Sequence, residues 1–292
     1  MFIIKYKYFF IGFSVALVLA SLFLMNTYGV KKGIDFTGGT VAEIAYTTPA
    51  RPNTIDIKAF EDAKIKVFVT GSSTLKLITN EQYDTIAPVI AKLVSNNGMY
   101  AFETKSLSTV GPTLGAEMTK KASIAIVIVV LVILLFIAFA FRGASHPVSS
   151  WKYGASAMLT LVHDIIVPAG AYVLLSHYFG AEINTLFVIA LLTIMAVTIS
   201  DKIVVFDRIR ENLHTFKSKP FAEVVGISLS QTLARSINTS FCTVLALFAL
   251  YFFGPISTQF FALTLIVGLI VGTYSSICVA SPLLVIWNKT KK

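Results

Sequence analysis

Four charged side chains fall inside long apolar runs of this sequence: Asp164, Asp201, Lys202 and Arg235. A carboxylate in hydrocarbon costs roughly 2.5–3.5 kcal/mol on insertion scales, so each such group is a functional candidate by default. Their formal charges cancel, as expected where the medium cannot solvate them. The chemistry open to such a set is proton transfer and charge pairing. Asp201 lies six residues before Asp207. That is about 9 Å along a helix at roughly 1.5 Å per residue, inside the bilayer if the span ends near Phe206.

Arg235 belongs to a polar stripe of Ser228, Thr232, Arg235, Asn238 or Thr239, and Cys242. Spacing of three and four puts these on one helix face. The stripe ends at Thr243, so Arg235 reaches a depth similar to Asp201, and the two are expected to face each other across a bundle. His163-Asp164 falls near the middle of another apolar run, about 18 Å from Lys152 at roughly 1.5 Å per residue. Pro168 cannot donate to the carbonyl of residue 164, so a local kink is expected there. The stagger of Asp164 and Asp201 suits a proton relay. The plainer readings are a hydrogen-bonded structural acid at Asp164 and a static ion pair at Asp201. His163, a single ring with no second His or Cys nearby, reads as structural.

An intramembrane hydrolase built on Ser200, His163 and Asp164 or Asp201 finds little support. Ser200 and Asp201 are adjacent and point to different faces, and neither GxSxG nor HExxH occurs. The chain reads as a non-enzyme with no metal and no cofactor.

The elements that must position these groups are membrane spans. The 292 residues are 55% hydrophobic and 13% charged, with mean hydropathy +0.77, which excludes an ordinary soluble domain. The net charge of +9 could suggest nucleic acid, but its distribution argues against that partner. Segments expected in the cytoplasm hold Lys5, Lys7, Arg142, Lys152, Arg208, Arg210, Lys217, Lys219, Lys289, Lys291 and Lys292, against the acids Asp207, Glu211 and Glu223. That is the positive-inside bias of a multi-span protein. Cys242 and Cys278 both sit in apolar runs and read as small packing residues.

Six spans are expected. Tyr8–Tyr28 follows Lys5 and Lys7 and resembles an uncleaved signal anchor. The others are Ser123–Phe141, Tyr153–Leu175, Asn184–Phe206, Ala222–Phe253 and Phe260–Trp287. Gly268, Gly272, Ser276 and Ala280 repeat every four residues in the sixth, a spacing that lets helices approach closely. The organisation is then residues 1–28 as N-terminus and first span, 29–121 as an extracytoplasmic domain, 122–287 as a five-helix bundle, and 288–292 as a cytoplasmic tail.

Residues 29–121 are polar. A strand is expected at Val41–Tyr46, and a helix at Thr54–Ala63 with Thr54 as its cap. Strands at Lys66–Thr70 and Thr74–Thr79 flank a Gly71-Ser72-Ser73 turn. A helix at Glu81–Asn96 ends at Asn97-Gly98, and a strand follows at Tyr100–Ser106. The order βαββαβ predicts a ferredoxin-like fold.

Several stretches together resemble the SecF side of the SecD/SecF family, within the RND superfamily. Gly33-Ile34-Asp35-Phe36-Thr37-Gly38-Gly39 matches the DFxGG signature after the first span. Val110-Gly111-Pro112-Thr113-Leu114-Gly115 resembles VGPxxG before the second, and His163-Asp164 matches the HD of the third. Asp201 to Asn212 resembles the fourth-span run ending DRIREN. Ser230 to Ser240 matches the fifth-span pattern, and Gly272 to Pro282 the sixth. The resemblance runs in order over nearly the whole chain.

It implies a SecD-like partner subunit giving twelve spans, association with the SecYEG channel, preprotein substrates, no cofactor but a proton gradient as the energy source, and the bacterial cytoplasmic (inner) membrane as location, with both termini cytoplasmic. It maps the family's fourth-span acid on Asp201 and its fifth-span arginine on Arg235. Protonating Asp201 would release Arg235 and tilt the external domain, with Asp35, Gly38 and Gly39 at the junction. Lys202 departs from the family pattern, which has a small hydroxyl residue there. It either snorkels to the cytoplasm, retunes the relay, or weakens proton coupling. Two other readings are a channel scaffold without proton coupling and an RND-type small-molecule transporter.

Overall fold

In the computed structural model the described residues are 2–47, 57–69, 73–96, 98–140 and 149–289. The Thr54 cap, Gly71, Ser72, Asn97, Arg142, Lys291 and Lys292 lie outside them. The chain divides into two compact units. The larger combines Met1–Val30, Ala125–Ala181 and Leu186–Lys292; the smaller combines Lys31–Ile124 with Glu182–Thr185.

The N-terminus is helical, with α1 (Phe2–Lys5) and α2 (Lys7–Tyr28). The smaller unit begins with a single turn, α3 (Ile34–Thr37), and then β1 (Gly39–Tyr46), α4 (Ile57–Asp62), β2 (Lys66–Val69), β3 (Thr74–Thr79), α5 (Tyr83–Val94) and β4 (Phe102–Val110). These four strands pair antiparallel in the order β2-β3-β1-β4. Helices follow β1 and β3, and β3 lies between β1 and β2. That is the ferredoxin-like split βαβ arrangement the sequence predicts. Ile86, Ile90 and Val94 recur every four residues on α5, and with Phe60 of α4 they cover Ala42, Ile44, Leu75 and Leu77.

β4 runs on to Val110, past the expected Ser106. It pairs with β1 as far as Gly39, yet almost every residue on it is exposed, so no alternation marks it in the sequence. The smaller unit also takes in Glu182–Thr185, which the sequence places in an ordinary outer loop.

The larger unit is helical. It holds α2, most of α6 (Pro112–Ala140), α7 (Ser150–Phe179), α8 (Thr185–Thr215), α9 (Phe221–Phe253), α10 (Ile256–Ser275), a π-turn (Ser276–Ala280) and α11 (Ser281–Lys289). Among the described residues six helices are long and apolar enough to cross a membrane: Lys7–Tyr28, Pro112–Ile137, Trp151–Phe179, Thr185–Thr215, Phe221–Phe253 and Ser257–Asn288. α8 continues well beyond Phe206 because Ile209 and Asn212 still bury a face, although the rest of that stretch is charged. α7 runs unbroken through Pro168. The π-turn has a local cause: Pro282 cannot donate to residue 278, and its ring crowds that carbonyl, so the helix widens just before it. The Ser156 hydroxyl donates 2.7 Å to the Ala280 carbonyl within this turn.

Candidate functional site

Lys202 sets the geometry of the membrane core. Its ammonium donates to Oδ2 of Asp164, and neither side chain has any exposed surface. It also reaches the Thr198 carbonyl, one turn back on α8, at 3.4 Å. Of the three routes open to Lys202, the first is excluded: it does not snorkel. Turning to the cytoplasm would strand the Asp164 carboxylate without a counter-charge, whereas pairing satisfies both groups.

His163 completes the cluster. Its Nδ1 lies 3.0 Å from the other oxygen of Asp164, Oδ1, so a proton on Nδ1 is donated to the carboxylate. Its Nε2 is buried with no hydrogen-bond partner among the described residues. Gly272 on α10 makes the approach possible: a Cβ there would lie 2.0 Å from Thr198 Cγ2 and 3.8 Å from Asp164 Oδ2. Gly268, one turn earlier, meets Ile194 in the same way, at 2.2 Å. The Ser276 hydroxyl donates back to the Gly272 carbonyl at 2.8 Å. The small-residue repeat therefore packs α10 on α8, as its spacing predicts.

Asp201 and Arg235 do not meet as expected. Asp201 is half-buried and Arg235 exposed, and no ion pair within 4 Å joins them among the described residues. Asp201 feels the charge of its neighbour Lys202 more than that of Arg235, which acts only at longer range. The reason is rotational. Adjacent residues on a helix point about 100° apart. Seating Lys202 on Asp164 turns Asp201 toward the flank of the bundle.

The α9 stripe divides for a similar reason. Ser228, Thr232 and Ser236 are buried, while Arg235, Asn238, Thr239 and Cys242 are exposed. The Thr239 hydroxyl only bonds back to the Arg235 carbonyl, at 2.9 Å.

Sequence reasoning missed a polar clasp at the ends of α8 and α9. Asn212 donates to Ser228 Oγ at 2.8 Å and to Gln231 Oε1 at 2.7 Å, and Arg208 Nε donates to the same Gln231 oxygen at 2.7 Å. The i,i+4 spacing of Arg208 and Asn212 was the available signal. Thr198 was missed too, since a single threonine in an apolar span carries no sequence signal.

In the smaller unit, Oδ2 of Asp35 accepts from the Thr185 N–H at 2.8 Å, capping the first turn of α8. The Gly33 N–H bonds to the Ile183 carbonyl at 2.7 Å, and the Ile183 N–H to the Lys31 carbonyl at 2.9 Å. Gly38 and Gly39 have φ of +78° and +130°, angles that side chains resist. A Cβ on Gly39 would lie 2.3 Å from the Thr79 carbonyl oxygen, and one on Gly38 would lie 2.8 Å from Pro112 Cα. The glycine pair thus turns the chain into β1 directly against the start of α6. Glu182 of this unit is held above the usual carboxylate range by burial, opposed by Lys66 at 3.6 Å and by Lys76 and Lys31. Among the described residues no group of three or more His, Cys, Asp or Glu is placed to hold a metal ion.

Six apolar helices with a charge pair locked in their core, and a ferredoxin-like unit carried after the first of them, define a class of multi-pass membrane protein. The description "Protein export membrane protein SecD/SecF, C-terminal" matches residues 89–290, and "SecD/SecF GG Motif" matches residues 23–50. The chain is 37% identical to the protein translocase subunit SecF of Thermobaculum terrenum, over 98% of this chain and 93% of the relative. It is 33% identical to that of Pseudomonas aeruginosa, over 97% and 90%. The protein translocase subunit SecDF of Thermus thermophilus is 35% identical over 96% of this chain, which spans 38% of that longer protein. A crystal structure of SecDF from Thermus superposes with a TM-score of 0.83 at 31% identity, covering 98% of this chain and 38% of the other. The chain belongs to the SecD/SecF family. It is a multi-pass membrane protein with a role in protein export.

Proposed function

We propose that this chain is a SecF-like subunit that uses proton flow through its membrane bundle to move its extracytoplasmic unit and assist preprotein translocation. One observation carries the reading: Asp164 is already neutralised by Lys202, which leaves Asp201 as a half-buried acid with no counter-ion within 4 Å among the described residues. An acid so placed can take up and release a proton without breaking a buried ion pair. A proton moving down roughly 100 mV releases about 2.3 kcal/mol, enough to bias a two-state element.

The exposed polar face of α9, with Arg235, Asn238 and Thr239, is costly against lipid. A homologous half-bundle of a SecD-like subunit is the cover that suits it, and the relatives in which SecD and SecF are one chain favour that partner. The same reading places the twelve-span complex beside the SecYEG channel in the bacterial cytoplasmic membrane, with both termini of this chain cytoplasmic. The chain crosses four times between its two units, at residues 30–31, 124–125, 181–182 and 185–186, so motion can pass through α2, α6, α7 and α8.

A second reading, a scaffold without proton coupling, is favoured by the Asp164–Lys202 clasp itself. Asp201→Asn separates the two. In membrane vesicles carrying the full chain and its partners, the proton-coupled reading requires that this variant lose gradient-dependent export while melting like the wild type. Wild-type gradient-dependent export by Asp201→Asn would leave the scaffold.

A further inference from the structure

We infer that the Lys202 ammonium is a tethered cation filling a pocket built for a monovalent alkali cation, and that Lys202 is the residue excluding such an ion from the bundle. The donors around the ammonium are hard oxygens. Asp164 Oδ2 accepts from it directly, and the Thr198 carbonyl lies 3.4 Å away. The Thr198 hydroxyl, one turn back on α8, is buried with no hydrogen-bond partner among the described residues. The Ser275 hydroxyl is also close to Asp164. His163 occupies the other carboxylate oxygen, so Oδ2 remains for the cation. Oxygen ligands of this kind suit hard cations, not soft metals. The site has one negative charge, enough for one monovalent ion, and it is closed from solvent on every side.

Removing the ammonium leaves a buried carboxylate that must be neutralised, by a proton or by a diffusible cation. The presence of Lys202 spares the chain that choice. The ion-coupling consequence rests on the proton-coupled reading above: with Lys202 seated, Asp164 holds no exchangeable ion and coupling falls to protons at Asp201. The binding test does not use export, so its failure leaves that reading standing.

The test compares the full chain, its Lys202→Thr variant and the Asp164→Asn/Lys202→Thr double variant, purified in detergent. Melting is followed in choline, sodium, lithium or potassium chloride at equal ionic strength, at about pH 8, where an ordinary carboxylic acid is ionised. The wild type is expected to melt alike in all four salts. Lys202→Thr is expected to melt lower in choline and to rise by roughly 5–10 °C once sodium or lithium reaches about a hundred times its dissociation constant. The double variant is expected to lose that response.

A Lys202→Thr variant indifferent to the salt overturns the inference, as does a wild type that already responds to sodium as strongly. A response that persists without Asp164 overturns it too. So does failure of Lys202→Thr to fold in every salt while the double variant folds. Should the double variant also fail to fold, Lys202→Gln with and without Asp164→Asn is read by the same criteria.

Discussion

Breaking the Asp164–Lys202 pair from one side should cost much more than removing it whole. Both side chains are wholly shielded, so either single change leaves one charge in hydrocarbon with no water to receive it. Lys202→Met leaves Asp164 with neutral partners, the His163 ring on Oδ1 and the nearby Ser275 hydroxyl. Asp164→Asn leaves the ammonium with a neutral amide and the Thr198 carbonyl at 3.4 Å. Such one-sided losses run at roughly 3–5 kcal/mol. For a chain of this size that is a fall of roughly 6–20 °C in melting midpoint. Asp164→Asn/Lys202→Met removes both charges and leaves a flexible apolar stem at a fully shielded position. It should recover most of the loss, with an interaction energy of roughly 2 kcal/mol or more across the cycle. The assay is thermal unfolding of the purified full chain, followed by the fluorescence of Trp151 and Trp287, which stack at 6.0 Å. Single variants within about 1 kcal/mol of wild type, or a double variant as unstable as the sum, would show that the pair is not a closed electrostatic unit.

The remaining predictions concern other joints of the structure. Gly272→Ala places a methyl 2.0 Å from Thr198 Cγ2 and should destabilise by roughly 1–3 kcal/mol; adding Thr198→Ala should restore most of it, measured by melting, and no restoration would discredit the steric account. Asp35→Ala removes the acceptor at the first turn of α8 and should cost roughly 0.5–2 kcal/mol, visible as faster amide exchange around Thr185. Glu182 has its pKa raised by burial, so the folded smaller unit holds a proton over a pH range in which the unfolded chain has released it. Stability should therefore fall as pH rises from the ordinary carboxylate value through the raised one, then level off. Glu182→Gln should flatten that slope; an unchanged pH profile of the melting midpoint would remove Glu182 as its source. The lost contact to Lys66, which is mostly exposed, should matter little.

Much of the architecture is legible in the chain. Apolar runs of about 20 residues dictate spans, since a backbone in lipid must satisfy itself as helix. Strand alternation at Val41–Tyr46 and the four-residue rhythm of Ile86, Ile90 and Val94 predict the small sheet and the helix on it. The glycines of the Asp35–Gly39 stretch announce backbone angles that the structure contains. Where the reading stopped short, the signal was absent. β4 is exposed along its length and shows no alternation. α8 passes Phe206 because a helix does not end where its apolar run ends. The π-turn needs a carbonyl displaced by Pro282 and a Ser156 hydroxyl from another span, and only the second helix makes that visible.

The charged residues show the boundary most clearly. Composition and position in the chain alone place Asp164, Asp201, Lys202 and Arg235 in long apolar helices. Which of them pair was decided by the rotation of α8 about its own axis, and that rotation is set by packing against α7 and α10, through Gly268 and Gly272. A sequence carries the angle between neighbours on one helix, but not the angle of one helix against the next. Lys202 therefore went to Asp164, and Asp201 was left facing the flank.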